Sequence, residues 1–320
     1  MVPPAEGRDL VESPSPSPSP SPSPSPGSSR SGSLLVSSIS TGRRARNALA
    51  TMFIALAVAV AAVPLVLLVV YVVRRGLPAF GWKFLTKPIP PPLRKGPGMG
   101  PAVVGTLVIT FWATVLAVPL GILGAVYITE YGAGNRLSRV IRFMSDVMAG
   151  VPSIVMGLFI FTAFTLREHK FTGFGGSLAL ACLMLPIVIR ATESMLTLVP
   201  RELREASYAL GTTRSRTVLT VVLPAALPGI TSGCLLAVAR AAGETAPLLF
   251  TIGGLQLHSN WNVFKGSNTT LSAQIFANAA QPFVGAQARA WAAALTLIGL
   301  VLILTVAARL VSSLLSVKAR

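Results

Sequence analysis

Charge is what this chain has least of. Only 12% of its 320 residues are Asp, Glu, Lys or Arg, where soluble domains carry roughly a quarter. That shortage excludes an ordinary water-soluble globule, because 52% of the residues are hydrophobic and they gather in blocks. Acid is scarcer than base: 10 carboxylates stand against 27 lysines and arginines, for a net charge of +17. Cysteine is nearly absent. Cys182 and Cys234 both fall inside apolar blocks, with no CxxC pair and no disulfide framework. The two histidines, His169 and His258, stand alone in connecting segments. A metal site needs several ligands at defined spacing, so none is assigned. No GxxxxGKS/T stretch occurs, which excludes a phosphate-cradling ATP loop in this chain. No HExxH run or nucleophile–base pair points to hydrolytic chemistry.

What is present is a series of long apolar blocks. Residues 48–73 carry no charge at all, and about 20 apolar residues suffice to cross a bilayer as a helix. Five further blocks follow, and together the expected spans are roughly 48–73, 102–129, 146–166, 177–199, 223–250 and 290–313. No alternating strand pattern supports a β-barrel. The expected fold class is an all-α integral membrane protein with about six transmembrane helices. Pro64, Pro119, Pro152 and Pro186 fall within the spans, which membrane helices tolerate where neighbours re-satisfy the freed carbonyls.

Ahead of the spans lie seven consecutive Ser-Pro dipeptides, Ser13 to Pro26. Such a segment has no amide ladder to form and no core to bury. The domain organisation expected is therefore a disordered cytoplasmic tail over 1–42 and a transmembrane domain over 43–320.

The strongly basic balance raises the question of a nucleic-acid partner. Here the cations sit in short segments between apolar blocks, which fits membrane lipid and topology signals instead, and no nucleic acid is expected. With both termini cytoplasmic, 15 Lys and Arg fall inside and 10 outside, the direction the topology rule favours. The loop 74–101 runs against that rule, with six cations on the outer side.

Two arginines, Arg190 and Arg240, lie inside apolar spans. An arginine at a helix centre costs roughly 3 kcal/mol on insertion scales, and such residues usually serve a water-filled path or a partner. Glu193 follows Arg190 by three residues and Glu244 follows Arg240 by four, spacings that share a helix face. Each pair has two readings: a structural ion pair, or a held guanidinium with donors left for an oxyanion. At about 1.5 Å per residue the two arginines differ by roughly 10 Å in depth, which suits separate stations along a path.

The segment 200–224, LREASYALGTTRSRTVLTVVLP in its main part, is polar and lies between two spans. Leu203, Ala206 and Leu210 share one face of a helix there, a shape suited to a groove on another protein. Its order is Glu205-Ala206-Ser207, three residues, Gly211, nine residues, Val221, one residue, Leu223-Pro224. This resembles the EAA loop of ABC importer permeases, EAA-x3-G-x9-I-x-LP, with Ser207 and Val221 as mild departures. ARAAGETAPLLFT from Ala239 to Thr251 is similar to the phosphate-specific permeases of that family, and its ending to their A-type subunit. AGVPSIVMGLF (149–159), VVGTLVIT (103–110), PLGILGAVYITEY (119–131) and LPIVIRATE (185–193) resemble the same group.

The resemblance implies a type I importer permease bundle with its coupling loop at 200–224, where Glu205, Ala206, Ser207, Gly211, Leu223 and Pro224 match the motif. It also implies that Arg190, Arg240 and Glu244 act in transport; Glu193 joins them from its spacing alone. The implied activity is ATP-driven uptake of inorganic phosphate across the bacterial cytoplasmic membrane, with no cofactor on this chain and ATP used by a partner. The implied partners are a homologous C-type permease subunit, two copies of an ABC ATPase subunit and an extracytoplasmic phosphate-binding protein. Arginines alone do not separate phosphate from sulfate, molybdate or tungstate. An anion channel or a membrane scaffold is the reading from another class, and it has no use for an EAA loop.

Overall fold

A computed structural model describes residues 41–317, apart from Pro92, Lys95, Ala133 and 254–257. The Ser-Pro tail lies outside the described residues. The chain divides into two units, Met1–Ala61 and Ala62–Arg320. The described part of the first is helix from residue 41 onward.

The described residues form helices joined by loops, with no strand among them. In chain order the helices are α1 (Thr41–Gly76), α2 (Trp82–Thr86), α3 (Gly100–Tyr131), α4 (Arg136–Gly150) and α5 (Ser153–Glu168). They continue as α6 (Gly173–Leu198), α7 (Arg201–Ala209), α8 (Arg214–Gly243), α9 (Ala246–Thr251), α10 (Leu271–Ala279) and α11 (Val284–Val317). Five of them are long and apolar enough to cross a membrane, and six if the bent pair α4–α5 counts as one span.

The centre of the second unit is α6, whose crossing window is the most buried of the five. Its neighbour α3 buries Ala113, Ala117, Gly121 and Ala125, one residue per turn at i, i+4 spacing. Small side chains let two helix backbones approach closely where lipid supplies no hydrophobic drive. A methyl group added at Gly121 would stand 2.6 Å from Val188 Cγ1 of α6. On the other side Gly229 and Gly233 of α8 admit Met195 and Ala191 of α6 in the same way.

Three five-residue π turns interrupt the long helices, at Tyr127–Tyr131, Phe161–Thr165 and Val218–Val222. The last has a local cause. Pro224 brings no amide to the ladder, and the Leu223 amide reaches back five residues to the Val218 carbonyl.

Two expected spans differ from the observed helices. The block 146–166 straddles a bend of 107° between α4 and α5. Pro152 is the cause: the residue before a proline is pushed out of the helical region, and Val151 sits at φ −71°, ψ 128°. The block 223–250 is likewise broken. Helix α8 begins earlier, at Arg214, and ends at Gly243, where Glu244 is extended at φ −69°, ψ 136°. Pro247 then opens α9 in its first turn, a place a proline suits because that amide has no helical partner. Hydropathy stays high across both breaks, so a sliding window reads straight through them.

Candidate functional site

Arg190 lies on α6 eight residues before its end, and its side chain is 45% exposed. Glu193 Oε2 accepts from Arg190 Nη1 at 3.3 Å, as the spacing predicts. Two further groups join from α4: Asp146 pairs with Arg190 Nη2, and Arg142 Nε donates to Glu193 Oε1 at 2.7 Å. The result is a four-membered network of two guanidinium and two carboxylate groups. Glu193 is its most enclosed member at 13% side-chain exposure. Asp146 and Arg142 were missed in the sequence. The available signal was Asp146 itself, a carboxylate at the head of an expected span.

Arg240 lies three residues from the end of α8, with Glu244 Oε1 at 3.6 Å from its Nε. Its side chain is 70% exposed. The break after Gly243 turns the Glu244 backbone aside, and its carbonyl accepts from Ser272 Oγ at 2.8 Å. Arg190 and Arg240 are not brought together. Arg190 is about 12 Å of helix from the end of α6 at Leu198. Gly233 of α8 packs on Ala191 of α6, so Arg240 lies seven residues of helix past that level, about 10 Å, in keeping with the separation read from the sequence.

The segment between α6 and α8 forms a short helix and a turn. Helix α7 exposes Leu203, Glu205, Ala206 and Leu210 while burying Ser207. An apolar face left bare in this way has the form of a docking surface. Gly211 then adopts φ +77°, where a side chain would be strained and glycine is not. Ser207 is the hinge pin of the turn: its Oγ lies 2.6 Å from Thr212 Oγ1 and 2.9 Å from Thr217 Oγ1. A serine at the second alanine position of the motif therefore gains hydrogen bonds that alanine lacks. Leu223 and Pro224 follow directly on the π turn inside the α8 run.

Arg204 ties this segment to the bundle. Its Nη2 donates to Glu130 Oε1 at 2.7 Å and to the Leu196 carbonyl at 3.0 Å, and its Nη1 to the Val199 carbonyl at 2.7 Å. One side chain thus caps the end of α6 and grips the end of α3, 74 residues away in sequence. Glu130 is almost fully enclosed, at 6% side-chain exposure. Arg214 adds a second grip, donating to the Glu130 carbonyl and lying 5.3 Å from the centre of the Tyr131 ring. In the sequence Arg204 was only one of the 15 inner cations, and Glu130 was not singled out.

The remaining features carry less. Cys182 and Cys234 are free thiols. Asn268, the acceptor of the Asn268-Thr269-Thr270 sequon, is 1% exposed, so a glycan has no room there.

Comparison with known proteins gives three results. Residues 117–317 match the family described as binding-protein-dependent transport system inner membrane component. The chain is 45% identical over 276 residues to phosphate transport system permease protein PstA 1 of Mycobacterium tuberculosis (strain CDC 1551 / Oshkosh), covering 84% of this chain and 89% of that one. It is 43% identical to phosphate transport system permease protein PstA of Yersinia pestis, covering 75% and 80%. Among solved structures it is similar to a chain of the MetNI methionine ABC transporter in an inward-facing conformation. That likeness has TM-score 0.52 and 21% identity, covers 66% of this chain and 91% of that one, and speaks for the fold alone.

Proposed function

Because the chain belongs to the binding-protein-dependent transport system inner membrane component family, in its PstA branch, we propose that Arg190 and Arg240 are successive oxyanion stations of a phosphate importer. The chain is the multi-pass permease subunit of an ABC transporter for phosphate. It is a transport subunit and not an enzyme; ATP hydrolysis belongs to a separate subunit.

The observation that carries the station reading is exposure. Arg190 and Arg240 have side chains 45% and 70% exposed, on helices long enough to span. A guanidinium cannot face hydrocarbon at that depth without a large penalty. A second wall is needed, and a homologous C-type permease subunit supplies it. The path then runs between the two permeases. Phosphate arriving at Arg190 meets a planar fork already held by Asp146 and Glu193, so binding exchanges one set of charge-assisted hydrogen bonds for another. The carboxylates lower the net gain on binding, which lets the anion leave.

Of two ATPase copies, one seats on the bare face of α7 and the other on the partner permease, and an extracytoplasmic phosphate-binding protein delivers the anion at the opposite end. Both termini are then cytoplasmic, and the membrane is the bacterial cytoplasmic membrane. Movement of α7 reaches the ends of α3 and α6 through Arg204.

The test is phosphate uptake by the complete transporter at matched protein levels. Arg190→Gln and Arg240→Gln each reduce uptake at least tenfold. Arg240→Lys recovers only part of it, since lysine keeps the charge and loses the fork. Wild-type uptake by both glutamine variants makes the arginines structural and removes the path.

A further inference from the structure

The loop before Gly100 and the end of α3 beside Arg204 are separated by the whole length of that helix, roughly 45 Å. At the far end a cavity of about 750 Å³ is lined by Pro78, Phe80, Trp82 and Lys83 from the loop and α2, and by Gly285 and Arg289 from α11. Arg289 is only 2% exposed. Its Nη1 donates to the Arg94 carbonyl at 2.9 Å, while Nε and Nη2 have no acceptor among the described residues. A charged group buried with its N–H groups unmet carries the full cost of leaving water.

The nearby sequence offers no carboxylate to meet it. No Asp or Glu occurs between Glu12 and Glu130, and none follows Glu244, so both stretches that build the cavity are free of acid. Lys83 adds a second cation. The first turn of α11 adds the positive end of a 34-residue helix.

We propose that this cavity binds a phosphate oxyanion, and that its occupant is the headgroup of an anionic phospholipid. A free phosphate ion would use the cations and leave the apolar walls bare; a phospholipid uses both. The surroundings are those of a membrane interface, where aromatic side chains gather. Trp82 is 79% exposed, and Tyr71 meets Trp291 edge to face at 5.1 Å between ring centres. The orphaned nitrogens are closed to water in this structure, so the headgroup displaces part of the cavity wall to reach them. Lys83, one of the six cations of 74–101 that run against the usual charge bias, then has a ligand of opposite sign.

The experiment is native mass spectrometry of the full chain assembled with its partner subunits, titrated with phosphatidylglycerol and, separately, with inorganic phosphate. Wild type retains one tightly held phosphatidylglycerol per copy of this chain. Lys83→Gln, at an exposed position, weakens it about threefold. Arg289→Gln weakens it tenfold or more and Arg289→Lys less, each checked for intact assembly. Inorganic phosphate bound in wild type and lost in the same variants, without a lipid difference, keeps the oxyanion site and overturns the lipid as its occupant. Equal retention of both ligands by wild type, Lys83→Gln and Arg289→Gln overturns the site.

Discussion

Arg204 and Arg289 stand at opposite ends of α3 and meet burial in opposite ways. Arg204 has a carboxylate and two helix-end carbonyls within 3.0 Å, each taking one of its N–H groups. Arg289 has one carbonyl and two nitrogens with nothing to receive them among the described residues. The first is a finished joint, holding the coupling segment to the bundle. The second is an unfinished one, complete only with a ligand. Burial alone does not distinguish an arginine that holds the fold from one that awaits an anion; the count of acceptors does.

The comparison breaks most readily at Glu130. Glu130→Ala leaves Arg204 enclosed without its carboxylate, which costs about 3–5 kcal/mol where one partner of a buried pair is removed. A markedly lower thermal midpoint of the purified complex is expected, together with loss of uptake. A charge-reversed pair, Glu130→Arg with Arg204→Glu, regains part of both. Unchanged stability in Glu130→Ala would mean the joint holds nothing.

Arg289→Met sharpens the contrast by moving stability the other way. Replacing an unmet charge by an apolar side chain of similar length raises stability by about 1–3 kcal/mol in lipid-free detergent. Added phosphatidylglycerol stabilises wild type and not the variant, so the gain shrinks or reverses. Thermal melts with and without the lipid read this directly, and a variant destabilised in both conditions would equate Arg289 with Arg204.

The smallest effect belongs to Gly211, in the turn that Arg204 and Arg214 bracket. An added methyl meets no atom within 4 Å, so only the positive φ opposes it. Gly211→Ala costs about 1 kcal/mol. A small fall in the thermal midpoint is expected, and a fall as large as that of Glu130→Ala would show that the turn is packed against something.

The legible part of the candidate site was the part written within one helical turn. Arg190 with Glu193 and Arg240 with Glu244 follow from spacing, because residues three and four apart share a face. The exposed face of α7 follows from a pattern inside eight residues, whereas Gly211 was named as a motif position and its left-handed backbone came from the structure. Asp146 on Arg190 was not legible, nor was Glu130 on Arg204, since these partners are 44 and 74 residues apart. The breaks at Pro152 and Glu244 were missed for a related reason: hydropathy measures what a segment dissolves in, and a bent helix dissolves in the same lipid as a straight one.

The sequence by itself therefore determined the solvent, the helical class and the coupling segment, because hydropathy, turn chemistry and i, i+4 spacing are properties of neighbouring residues. Only the tertiary structure decided which arginines are met. An arginine finds its acceptors across the contact between two helices, and that contact depends on where small residues such as Ala117, Gly121 and Gly233 let the backbones approach. The same residue type became a joint among charged neighbours at one end of α3 and the cationic wall of a cavity at the other.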